Sequence, residues 1–127
     1  MKHKYMRELF PEHLPFPYDE EDYHEFDERD TFSLDSTIVM WLYERLRYFQ
    51  DHVVNIVVMD DPTWRTFEVD GEQLTQLQCI DRMVEDCKII LLYEDWKDLG
   101  DKEWPKIDAA MRDLFKVFSE VYWAMWW

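Results

Sequence analysis

Three stretches of this chain repeat large apolar residues with the period of an α-helix. Ile107, Met111, Leu114, Phe118, Val121 and Met125 follow one another at steps of four, three, four, three and four, which keeps them on one stripe of a helix. Leu77, Ile80, Val84, Cys87 and Leu91 alternate three and four, and Ile38, Leu42, Leu46, Phe49 and Val53 form a third stripe. Val39, Met40 and Trp41 widen the apolar surface of that first helix, so its opening turns are expected to be buried on several sides.

Boundary residues frame these stripes. Ser33 or Asp35 can cap the first helix. Asp70-Gly71-Glu72-Gln73 reads as a capping-box-like start for the second, with Gly100 as its C-terminal cap. The third starts at Asp101, with Pro105 tolerated in its first turn. Val53–Met59 reads as a short strand or as the tail of helix one, and Asp60-Asp61-Pro62 ends it. Thr66-Phe67-Glu68-Val69 alternates as a strand would.

The expected fold class is mainly all-α: a three-helix antiparallel bundle over 33–127. A short β-hairpin near 56–69 is the point at which this expectation is most exposed. Only two glycines, Gly71 and Gly100, occur in the chain, as suits helices with few tight turns. Residues 1–32 read as an irregular arm, because Pro11, Pro15 and Pro17 prevent a sustained helix. Its Phe10, Leu14, Phe16, Tyr18, Tyr23, Phe26 and Phe32 are too many apolar groups for a free tail, so part of the arm is expected to lie along the helices. No repeat or linker divides the 127 residues, and a single domain is expected.

The net charge is -15 and 17% of the residues are aromatic. Residues 19–30 hold eight acids and one base, Arg29. Carboxylates at Asp19, Glu20, Glu21, Asp22, Glu25, Asp27, Glu28 and Asp30, with Tyr23, Phe26 and Trp64 as anchors, make a candidate surface for a protein partner with basic patches. The same charge repels nucleic acid and anionic membrane, so neither is expected as a direct partner. Solvated surface is the plain alternative for the acidic run. No stretch is long and apolar enough for a membrane span, and no apolar run follows the basic start Met1–Arg7, so no secretory signal is expected.

Other chemistry finds little support. Phosphate-cradling loops need more glycine than this chain holds. Cys79 and Cys87, eight apart on one helix, lie about 12 Å apart by rise alone, too far for a disulfide. They read as small core residues in a reduced, cytosolic setting. Glu21-x-x-His24 resembles half of a carboxylate metal site, but no second copy exists. No cofactor or metal is therefore expected, and no catalytic residues; a carboxylate-metal enzyme ranks third among the functions. Trp123, Trp126 and Trp127, beside Tyr122 and Met125, either close the core or form an interface for a partner or a second copy. Arg45 is expected to pair with a carboxylate such as Asp30 or Asp35.

Two stretches resemble a family of small uncharacterised proteins from tailed bacteriophages. The first is Glu28-Arg29-Asp30-Thr31-Phe32-Ser33-Leu34-Asp35, followed by Trp41, Arg45, Leu46 and Phe49. The family carries Asp at the first position and Trp in place of Phe32. The second is Trp104, Ile107, Met111 and Phe115, where the family has an acid at the position of Ala109. The resemblance covers about a third of the chain and implies a small accessory protein acting in the host cytoplasm. It implies no activity. The expected function is non-enzymatic: binding of a host protein through an acidic, aromatic-anchored surface, with inhibition of a nucleic-acid-binding defence factor by occupation of its basic site. The alternative is a virion assembly or homo-oligomeric module built on the terminal tryptophans.

Overall fold

The computed structural model describes residues 4–12, 34–54, 58–94 and 103–125. It is mainly helical. The helices are α1 (Lys4–Leu9), α2 (Leu34–Tyr48), α3 (Gln76–Glu94) and α4 (Glu103–Val121), and a two-stranded sheet pairs β1 (Phe67–Val69) with β2 (Glu72–Leu74). A π-helical turn, Phe49–Val53, extends α2, and a 3-10 turn, Tyr122–Ala124, ends α4.

Helix α3 is the centre of the bundle and packs on both α2 and α4. Its Cys79, Ile80, Met83, Val84, Cys87, Ile90 and Leu91 are all buried. Two polar links fix the helix directions. Gln50 Nε2, just past α2, donates to Asp81 Oδ1 near the start of α3 at 2.8 Å. Gln76 Nε2, in the first turn of α3, donates to the Ala124 carbonyl just past α4 at 2.9 Å. Each neighbouring pair is therefore antiparallel, and α2 and α4 run the same way on either side of α3.

The second helix starts later than its sequence suggested. Asp70 and Gly71 both have positive φ, 52° and 80°, and they form the two-residue turn of a hairpin with register Phe67↔Leu74, Glu68↔Gln73 and Val69↔Glu72. Asp-Gly with both φ positive is the primed turn that matches strand twist, and such backbone cannot begin a helix. The hairpin thus takes in β1 as expected but extends to Leu74, beyond the 56–69 window. The true cap is Thr75. Its Oγ1 accepts the Gln78 N–H at 3.1 Å, while Gln78 Oε1 accepts the Thr75 N–H at 2.8 Å, a reciprocal capping box. The Leu77 N–H is met by the Met59 carbonyl at 2.8 Å, which ties the 58–60 turn to the same helix end.

The arm is not wholly irregular. Lys4–Leu9 is helical because Tyr5 and Met6 bury their side chains against α2, and because Glu44 accepts the orphan N–H groups of Tyr5 (3.3 Å) and Met6 (2.8 Å). Arg47 holds the other side of α1. Its guanidinium lies 4.8 Å from the Tyr5 ring centre and 3.4 Å from Glu8.

This docking turns α2. The face carrying Met40 and Tyr43 is buried along with Val39, Leu42 and Leu46, while Ile38, expected in the core, is 40% exposed. Helix α4 shows the same displacement. Ile107, Ala110, Leu114, Val117 and Val121 are its buried stripe, and Met111 and Phe118 are only half-buried. The two displaced edges face each other.

Cys79 and Cys87 are free and fully buried, as small core residues should be. Among the described residues, no helix is long and apolar enough to cross a membrane.

Candidate functional site

The displaced edges of α2 and α4 line an apolar groove. At one end Ile38, Trp41 and Leu42 face Phe115 and Phe118 around a depression of about 310 Å³. The groove continues past Leu46 and Phe49 to Tyr122, Trp123 and Met125 as a second depression of about 430 Å³. Trp41, Leu42 and Phe118 belong to both. Measured along α2 from Thr37 to Phe49, the groove is about 18 Å long, or three helical turns.

Its rim is aromatic. Trp41 is 49% exposed, Phe115 42% and Trp123 81%. Phe118, Tyr122 and Trp123 form an edge-to-face series, with ring centres 5.6 Å and 5.0 Å apart. Arg45 has its guanidinium 4.2 Å from the Trp41 ring centre, a cation–π contact at the lip of the groove, while Asp30, the arm carboxylate expected beside it, lies outside the described residues. Further along this side of α2, Tyr48 and His52 stack with ring centres 4.3 Å apart.

The other sequence-derived candidates are placed unevenly. Asp19, Glu20, Glu21, Asp22, Tyr23, Glu25, Phe26, Asp27, Glu28 and Asp30 lie outside the described residues, and so do Trp126, Trp127 and the Glu21-x-x-His24 motif. Trp64 is described and half exposed. Its turn is pinned by Asp61, whose Oδ1 accepts both the Thr63 N–H (2.8 Å) and hydroxyl (2.6 Å) and whose carbonyl accepts the Trp64 N–H at 3.2 Å. Those bonds hold the Asp61 carboxyl below the usual carboxylate range. Trp64 belongs to neither depression of the groove.

A second constellation joins α3, α4 and the hairpin turn. Arg82 of α3 grips both carboxylate oxygens of Asp113 on α4, its Nε donating to Oδ2 at 2.9 Å and its Nη2 to Oδ1. The same Nη2 reaches Asp70 in the hairpin turn at 2.9 Å. Lys116 Nζ donates to Asp70 Oδ1 at 2.8 Å and lies 3.8 Å from Asp113. Asp86, one turn beyond Arg82, is 8% exposed. Among the described residues no donor reaches its buried Oδ2. Burial, then the neighbouring Asp113, pushes the Asp86 carboxyl up to about 8, whereas hydrogen bonds from Arg82 draw Asp113 down to about 2. The sequence signal for this cluster was the polar residue recurring at i, i+4 on the apolar helix α3, Arg82 and Asp86.

Among the described residues, no group of three or more His, Cys, Asp or Glu side chains is arranged to hold a metal ion. The cysteine thiols are pushed up by burial, Cys79 to about 11 and Cys87 further. Compared with family models, curated proteins and solved structures, the chain matches none.

Proposed function

We propose that this chain is a non-enzymatic binding protein that docks a host protein in the groove between α2 and α4. The observation that carries the reading is five large apolar side chains, Ile38, Trp41, Phe115, Tyr122 and Trp123, left exposed along one groove. An apolar patch of this kind marks an interaction site, and tryptophan and tyrosine are the residues that most often carry binding energy. A groove three turns long between parallel helices suits the apolar face of an amphipathic helix. The net charge of -15 favours a partner with basic surface, steers its approach and makes association salt-dependent. With the resemblance to bacteriophage proteins, this reading extends to an accessory protein acting in the host cytoplasm, where it occupies the basic site of a nucleic-acid-binding defence factor.

The test begins with capture of the partner from a bacterial host lysate and measurement of its affinity. Trp41→Ala and Trp123→Ala are expected to weaken binding about 30-fold each, the effect of losing an anchor of about 2 kcal/mol, with the melting temperature unchanged. Added salt is expected to weaken it further. A partner that binds both variants as tightly as the parent, and with no response to salt, would overturn the proposal.

The exposure of Trp123 also favours a second reading, in which the groove joins two copies of the chain. Light scattering separates the two: a dimer mass that Trp123→Ala halves supports self-association.

A further inference from the structure

We propose that Asp86 and Asp113 share one proton in the folded protein, and that this proton fastens α3 to α4. The pair lies in the polar cluster on the α3–α4 interface, apart from the groove.

Three carboxylates, Asp70, Asp86 and Asp113, gather around two cations, Arg82 and Lys116. They belong to three elements: the hairpin turn gives Asp70, α3 gives Arg82 and Asp86, and α4 gives Asp113 and Lys116. Both cations are already committed to Asp113 and Asp70. Asp86 is the surplus negative group, and a single proton on it brings the cluster to neutrality.

Hydrogen bonding leads to the same place. Two ionised carboxylates offer acceptors only, and they repel. Asp86 Oδ2 is buried and receives no donor from the described residues, although Asp86 and Asp113 lie within hydrogen-bond reach of each other. Protonated Asp86 needs no donor at that oxygen. Its O–H donates to Asp113, whose charge Arg82 holds in place. Of the two acids Asp86 carries the proton, because burial penalises its charge while the Arg82 fork stabilises that of Asp113. Cys87, the adjacent residue on α3, has a thiol raised well above its ordinary range and does not compete for the proton near neutrality.

Unfolded, Asp86 releases its proton near pH 4; folded, it holds it to about 8. Between these values the native state binds the extra proton, so stability falls as pH rises. This contribution is whole below about pH 4 and gone above about pH 8. Asp113 behaves oppositely: its contribution is present above about pH 4 and is lost as pH falls toward 2.

The experiment compares the full chain with Asp86→Asn by denaturant unfolding between about pH 5 and pH 9. Asn keeps the shape and supplies an N–H donor to Asp113 at every pH. The parent's folding equilibrium constant is expected to fall by up to tenfold per pH unit relative to the variant until about pH 8, after which the two curves run parallel. Carbon-13 NMR of the aspartate carboxyls in the parent is the second measurement. It should show one aspartate titrating near pH 8 that is missing from the variant. If every aspartate titrates below about pH 5, or the curves are parallel throughout, the shared proton is ruled out. The NMR measurement decides alone if the variant fails to fold.

Discussion

At Thr75 a single side chain decides where α3 begins. Its hydroxyl and the Gln78 side chain close two backbone N–H groups that would otherwise be orphaned. Thr75→Ala is expected to cost about 1 kcal/mol and to lower the melting temperature by a few degrees in a thermal scan followed by circular dichroism. Asp70-Gly71, read from the sequence as the helix start, suits a cap and a hairpin turn alike. Only the positive φ of both residues separates the two uses. Beside Arg45, the Trp41 ring one turn earlier provides a flat, electron-rich face for the guanidinium.

At the scale of elements, periodicity located α2, α3 and α4, because a buried stripe must recur every three to four residues. It located the helices better than it located their faces. The period fixes that one side is apolar, whereas the neighbours fix which degree of that side is covered. On α2 the docking of α1 draws Met40 and Tyr43 into the core and releases Ile38 and Trp41 toward the groove. Helix α1 was hidden in the sequence because its six residues are too few to show a period. It is also too short to stand without outside help, and Glu44 and Arg47 supply that help. Glu44→Ala leaves two partly buried N–H groups without their acceptor, a loss of about 1–3 kcal/mol. Hydrogen exchange is expected to quicken at least tenfold at the amides of Tyr5 and Met6, while those in the centre of α3 keep their protection.

For the whole molecule the governing quantity is the net charge of -15. Folding brings those groups together, and their mutual repulsion works against the compact state. Added sodium chloride screens it, so the melting temperature is expected to rise by several degrees from low salt to about 0.5 M. A fall instead would mean that the fixed pairs, Arg82 with Asp113 and Lys116 with Asp70, outweigh the general repulsion. The candidate groove is also a property of this scale. No single stripe announces it, since it arises where two helices packed on α3 leave their edges unmatched.

With Cys79 and Cys87 sealed in the core and their ionisation pushed far above neutrality, neither sulfur competes for a maleimide reagent at pH 7. A cysteine introduced at an exposed position beside the groove, such as Ser119, would be the preferred site of attachment for a fluorophore or spin label. The signal of that label could then report a ligand's arrival in the groove, without first stripping the native residues from the protein.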